Sequence, residues 1–172
     1  MDFCIKRITF KGRVMKKIVK ILMIVLLSMG AVQAEEEVVK KVVYNLTTGD
    51  IKKFERELIG GIIAHTTYYQ NKLEALEVQV IIHGDSYKLF MKDLNNTAYV
   101  NQSKLVEKKE ALEKRLGTLA KQYDVKFLVC EAGVIKRKFN KKAFYPFVSM
   151  VHNAAIGLID AQNDGYAYLG VE

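Results

Sequence analysis

Residues 42–50 read VVYNLTTGD, and this stretch joins a buried strand to the start of a helix. It completes a valine-rich run over residues 38–46, which predicts a strand because β-branched side chains pack well on a pleated sheet. Residues 47–49 have turn chemistry, and Asp50 is placed to cap a helix. From Ile51 to Tyr69 apolar residues recur every three or four positions, which predicts an amphipathic helix.

The same alternation continues to the end of the chain. Further strands are predicted at residues 76–82, 125–130, 147–151 and 166–171, and helices at 86–93, 102–123 and 154–163. Residues 131–139 are predicted to form a loop and a helix. Strands that alternate with helices indicate an α/β fold, here one domain with a mostly parallel five-stranded sheet and helices on both faces. Right-handed crossovers then place every loop that follows a strand at the same edge of the sheet.

The N-terminal segment has the pattern of a secretory signal peptide. Three lysines precede an apolar run over residues 21–32, and Val32 and Ala34 are the small side chains that signal peptidase needs before a cut after Ala34. A membrane-spanning helix needs about 20 apolar residues, so a retained N-terminal anchor is the weaker alternative. We expect residues 1–34 to be an extension plus signal peptide, and residues 35–172 to be one exported, periplasmic domain that meets the membrane only during export.

Cleavage of the signal peptide would lower the net charge of the protein. The whole chain has 27 basic and 19 acidic residues, and cleavage removes seven and one of these, which leaves 20 and 18 and a net charge of +2. Nucleic-acid binding needs a clustered surplus of positive charge, so we expect no nucleic-acid partner. The one local basic cluster lies at residues 136–142.

Cysteine use points to one residue. Cleavage would leave Cys130 as the sole cysteine, so no disulfide can form within the chain. Cys130 ends a predicted strand, and in parallel sheets chemistry gathers beyond the carboxyl ends of the strands. A helix start and the cations Lys136 and Arg137 follow it, and both lower the pKa of a thiol, whereas Glu131 opposes them. The alternative is that Cys130 is a small buried hydrophobic residue.

His83 ends the second predicted strand at the same edge of the sheet. It can act as a base for the thiol or hold a ligand, or it can simply hydrogen-bond a loop carbonyl. Cys130, His83 and His152 contain ligand atoms suited to zinc or copper, but no two of them are close in sequence, so we expect no metal. Residues 47–50 lack the glycine pattern of a dinucleotide loop, so we expect no cofactor.

Residues 41–171 resemble the DsrE family of small sulfur-relay-like proteins. The segments that carry the resemblance are VVYNLTTGD (42–50), VIIHG (80–84), VKFLVC (125–130), KRK (136–138) and QNDGYAY (162–168). The resemblance implies a fold related to flavodoxin-like architectures and a homo-oligomer, a trimer or hexamer. It also implies that Cys130 matches the family cysteine that carries sulfur as a persulfide.

Two functions from different classes follow. The first is an exported persulfide carrier or sulfurtransferase-like protein, with Cys130 and His83 as catalytic residues and Lys136 and Arg137 binding a small sulfur anion. Its partners would be a sulfur donor or acceptor protein. The second is a non-enzymatic oligomeric binding or assembly module for a small anion or a partner protein, in which Cys130 is structural. A thiol redox sensor is a third possibility, weakened by the absence of a resolving cysteine.

Overall fold

The computed structural model describes residues 39–172, and the signal peptide and cleavage site expected in residues 1–34 lie outside them. A single five-stranded sheet has the order β4-β3-β2-β1-β5. Its strands are β1 (Val39–Leu46), β2 (Ala75–Ile82), β3 (Lys126–Cys130), β4 (Val148–Val151) and β5 (Ala167–Val171). Every neighbouring pair is parallel, which confirms the α/β fold expected from the sequence.

Four helices connect the strands. Helix α1 covers residues 51–70 and consists of Ile51–Lys53, a π-helical segment Phe54–Ile59 and Gly60–Gln70. The others are α2 (Ser103–Gln122), α3 (Glu131–Lys136) and α4 (Ala154–Asn163), and short 3₁₀ segments lie at Ser86–Phe90 and Lys141–Ala143. Asp50 caps α1 as expected, since its side chain accepts a hydrogen bond of 2.7 Å from the backbone N–H of Lys53.

The strand order places helices on both faces of the sheet. The chain steps from β1 to β4 in one direction, so right-handed crossovers put α1, α2 and α3 on the same face. The last crossover returns to the opposite edge, which puts α4 on the other face. Gly157 lets α4 approach the sheet closely, because a Cβ there would lie 3.0 Å from side-chain atoms of Ile81 and Val151.

The core lies between the sheet and its helices. Alternate residues of β1, Val42, Tyr44 and Leu46, are buried on the α1 side. Three buried rings continue that side, with Phe54 and Phe90 edge to face at 5.7 Å and Phe90 and Phe127 at 5.3 Å. In residues 39–172 no helix is both long enough and apolar enough to cross a membrane.

One predicted helix is shorter than expected. Residues 86–93 were expected to be helical, but the 3₁₀ segment ends at Phe90 and Met91 is extended. Met91 forms an antiparallel bridge with Phe144, and the carbonyl of Phe90 accepts a hydrogen bond from the N–H of Tyr145. Pairing with a segment more than 50 residues away therefore outweighs the local helical pattern.

Candidate functional site

The carboxyl ends of the strands form the edge that we call the rim, made of residues 47–50, 83–86 and 130–133. Cys130 is the last residue of β3, occupies the N-cap position of α3 and is 7% exposed. Ile82 and Val129 are partners in the sheet, so the residues that follow them, His83 and Cys130, begin adjacent rim loops. Cys130 is the only cysteine in the described residues.

Tyr87 is the side chain most closely associated with Cys130. It is 1% exposed, and its hydroxyl donates a hydrogen bond of 3.1 Å to the carbonyl of Cys130. Burial raises the pKa of the Tyr87 phenol, and the neighbouring Cys130 raises it further, so the phenol stays protonated at neutral pH. Gly133 makes this position possible, because a Cβ there would lie 1.9 Å from the Tyr87 hydroxyl.

Arg137 lies against Tyr87, whereas its neighbour Lys136 does not. The guanidinium carbon is 5.5 Å from the centre of the Tyr87 ring, which is cation–π geometry. Its Nη1 donates a hydrogen bond of 3.1 Å to the hydroxyl of Tyr99 and lies 3.8 Å from a carboxylate oxygen of Asp85. Lys136 is exposed and has no ion pair or side-chain hydrogen bond within residues 39–172. Of the two predicted substrate-binding cations, the structure connects Arg137 to the cysteine through Tyr87.

Lys88 is a second cation at the rim, and it was not among the candidates taken from the sequence. Its Nζ lies 5.8 Å from the centre of the Tyr99 ring and close to Gly49, where a Cβ would be 2.8 Å away. The side chain is half-buried and forms no ion pair or hydrogen bond with any described residue. Sequence offers only a weak signal for Tyr87 and Lys88, namely the glycines at 49 and 133, whose need for space becomes visible in three dimensions.

His83 belongs to a separate polar chain. Its Nε2 is 2.6 Å from Oδ1 of Asn45, and Nδ2 of Asn45 donates a hydrogen bond of 2.8 Å to the hydroxyl of Tyr168. With Oδ1 as acceptor, Nε2 carries the proton and Nδ1 is left as the basic nitrogen. Burial lowers the pKa of His83, so the imidazole is neutral at pH 7. No hydrogen bond joins His83 to Cys130 in the described chain.

The acidic neighbour of the cysteine is paired. Glu131 forms an ion pair with Lys141, and the hydrogen bond and charge of Lys141 hold the pKa of the Glu131 carboxyl below its usual range. The sequence suggested that Glu131 would disfavour a thiolate at Cys130. In the structure that carboxylate is paired with Lys141.

Metal ligands do not converge in the described residues. No group of three His, Cys, Asp or Glu side chains there is arranged to hold a metal ion. His152 is exposed, and its backbone carbonyl accepts a hydrogen bond of 3.2 Å from the N–H of Ala132. The buried thiol of Cys130 at the rim therefore has two tyrosines, Tyr87 and Tyr99, and two cations, Lys88 and Arg137, in a chain of contacts that starts beside it.

The described residues thus form an α/β protein with a parallel five-stranded sheet and a cysteine at the carboxyl end of a strand. Residues 41–171 match the model of the DsrE/DsrF-like family, and the chain belongs to that family. A solved structure with the same fold is that of the protein of unknown function MTH1491 from Methanobacterium thermoautotrophicum. It matches with a TM-score of 0.54 and 14% identity, covering 76% of this chain and 98% of that one. No curated protein matches the sequence.

Proposed function

We propose that this protein is a sulfur carrier or sulfurtransferase-like protein that holds a persulfide on Cys130. The observation that carries the proposal is the position of Cys130 at the carboxyl end of β3, with the phenol of Tyr87 against it. Membership of the DsrE/DsrF-like family, which is associated with sulfur relay, supports it.

The chemistry requires a thiolate and a donor of sulfane sulfur. The Cys130 thiolate attacks the terminal sulfur of a donor R–S–S⁻, the donor S–S bond breaks, and R–S⁻ leaves with the electron pair, so that Cys130 becomes a persulfide anion. We propose that the Tyr87 O–H, which donates to the Cys130 carbonyl in the resting protein, turns to donate its hydrogen bond to that anion instead. His83, with Nδ1 as its basic nitrogen, is proposed to accept the thiol proton through a small movement of the rim loops.

The burial of Cys130 favours a second candidate function. A thiol in a residue that is 7% exposed reacts slowly unless the rim opens. In that case the domain would be an oligomeric binding or assembly module, with Cys130 closing the strand and the rim binding a small anion or a partner protein. Reactivity of the native thiol separates the two candidates.

The test is alkylation and sulfur uptake at Cys130. In a Cys4→Ser chain only Cys130 can react, so the rate of iodoacetamide alkylation against pH gives the pKa of its thiol. For a sulfur carrier we expect a midpoint below ~8.5, the value of a free thiol, and a mass gain of one sulfur atom after exposure to polysulfide. Cys130→Ser is the matched control and should gain no sulfur. A thiol that reacts only after unfolding would favour the binding module.

The setting of this activity is part of the proposal. We propose that the protein works in the periplasm after cleavage of the signal peptide following Ala34, as a homo-oligomer, a trimer or hexamer. Its partners would be a sulfur donor or acceptor protein, or a small sulfur anion held by Arg137 and Lys136. The net charge of +2 for residues 35–172 supports a partner other than nucleic acid.

A further inference from the structure

We infer that Lys88 and Arg137 form a subsite for a small tetrahedral oxyanion beside Cys130, with the rings of Tyr87 and Tyr99 as its floor. The inference rests on the proposed function, because it names the chemical class of the sulfur anion that would reach the cysteine. Free phosphate has the same shape and charge, so the experiment below separates the two sources.

Lys88 supplies the first reason. Its side chain is half-buried, with Nζ near Gly49 and over the Tyr99 ring, and no carboxylate or carbonyl of the described chain accepts a hydrogen bond from it. The three N–H donors of that ammonium are therefore available to water or to a ligand. Any side chain at position 49 would collide with Lys88, so the glycine keeps this position open.

Arg137 supplies the second reason. One guanidinium nitrogen is used by the Tyr99 hydroxyl, and the Asp85 carboxylate is 3.8 Å away, beyond a good hydrogen bond. Asp85 is 70% exposed, so water screens the pair. The remaining guanidinium N–H groups are free to bind an oxyanion, which matches their planar fork.

The aromatic rings connect the two cations to each other and to the cysteine. Lys88 lies over Tyr99, the Tyr99 hydroxyl binds Arg137, and Arg137 lies over Tyr87, whose hydroxyl contacts Cys130. Tyr87 and Lys88 are consecutive residues of one 3₁₀ segment. The side chain of Tyr87 packs against Gly133, and that of Lys88 packs against Gly49. One short segment therefore fixes both the thiol environment and the anion subsite.

An oxyanion held there can carry a transferable sulfur. With thiosulfate, the cations would hold the sulfonate oxygens while the outer sulfur faces Cys130. The thiolate would form a bond to that sulfur, the S–S bond of thiosulfate would break, and sulfite would leave with the electron pair. Cys130 would then carry the persulfide anion, and the total charge of −3 would be unchanged.

The test measures anion binding without sulfur transfer. Sulfate, thiosulfate and phosphate are titrated into the full chain carrying Cys4→Ser and Cys130→Ser, with binding followed by NMR shifts of the rim. We expect Lys88→Gln and Arg137→Gln each to weaken binding by about tenfold, the equivalent of 1.4 kcal/mol for a lost charge-assisted hydrogen bond. Asp85→Asn removes the competing carboxylate and should strengthen binding a few-fold. Thiosulfate binding more tightly than phosphate would assign the subsite to sulfur anions, and the reverse order would assign it to phosphate and overturn the sulfur assignment.

Lys138→Gln is the matched control, since Lys138 is exposed, and this change removes the same charge one residue away from Arg137 without touching the aromatic floor. If the control loses as much anion affinity as Arg137→Gln, the attraction is diffuse and the subsite proposal is wrong. The proposal is also wrong if neither Lys88→Gln nor Arg137→Gln changes the affinity. Near-ultraviolet circular dichroism of each variant confirms the fold. Failure of the proposed function is seen separately, because Cys130 would then take no sulfur from polysulfide even if the anion subsite is intact.

Discussion

At the scale of single residues, the polar chain of His83, Asn45 and Tyr168 determines how the rim responds to acid. The imidazole is partly buried and has a neutral amide as its partner, and no carboxylate within residues 39–172 forms an ion pair with it. Its folded-state pKa is therefore below the ~6.5 of the unfolded chain. His83 is suited to accept a proton but holds it weakly.

We predict that His83 makes the fold less stable in mild acid. As the pH falls through ~6.5, the unfolded chain takes up a proton that the folded chain does not, so the free energy of unfolding decreases until the lower folded pKa is reached. His83→Gln cannot titrate, so its stability should change less between pH 7 and 5, at a cost of ~0.5–1.5 kcal/mol at pH 7 for the altered hydrogen bond. Urea unfolding at each pH measures this, with the exposed His152→Gln as control. If the free energy of unfolding of His83→Gln depends on pH as steeply as that of the unchanged protein, the prediction is wrong.

At the scale of elements, the 3₁₀ segment Ser86–Phe90 and helix α3 fit together through one glycine. A Cβ at position 133 would lie 1.9 Å from the Tyr87 hydroxyl and 2.8 Å from the ring carbon that bears it. The hydroxyl cannot move away without losing its bond to the Cys130 carbonyl. This contact holds α3 at the end of β3 and so sets the position of the thiol.

Gly133→Ala should therefore destabilise the protein by ~1–3 kcal/mol, the usual cost of overpacking. In a Tyr87→Phe background the cost should be smaller but not zero, because the oxygen is gone and the ring carbon remains. Thermal and urea unfolding of the unchanged protein, the two single variants and the double variant give the coupling energy between positions 87 and 133. Gly117→Ala is the control: it lies in α2 with its nearest neighbour, Phe147, 3.8 Å away, and should stabilise by ~0.5–1 kcal/mol. Equal costs of Gly133→Ala in both backgrounds would show that Tyr87 is not the cause.

The sequence predicts elements better than it predicts contacts. Hydrophobic spacing predicts helix α4 at residues 154–163 and all five strands, because burial against one sheet imposes that spacing. It does not predict that Met91 pairs with Phe144, which ends a helical pattern early. It places Cys130 and His83 at the rim and Arg137 downstream of the cysteine, but it does not identify Tyr87 or Lys88. Each of these side chains packs over a glycine that is distant in sequence, Tyr87 over Gly133 and Lys88 over Gly49. The spacing of hydrophobic residues carries no information about such contacts.

At the scale of the whole molecule, the net charge depends on whether the N-terminal segment is removed during export. Residues 35–172 have a net charge of +2, against +8 for the full chain, so the basic character of the protein belongs to the segment that we propose is removed. A folded domain with little net charge has no strong general attraction for anions. Binding of a small anion at the rim would then depend on the local arrangement of Lys88 and Arg137.

We predict that the full chain, expressed in a bacterium, accumulates in the periplasmic fraction with the intact mass of residues 35–172. Signal peptidase needs small side chains at positions −3 and −1, so Ala34→Arg should block cleavage and leave the uncut chain with the membrane fraction. Gln33→Leu, at the intervening position, should be processed normally and serves as control. A soluble, uncut protein in the cytoplasm would refute export and would move any sulfur chemistry at Cys130 into a reducing compartment. There a lone thiol stays reduced without protection, and the donor would have to be an intracellular persulfide.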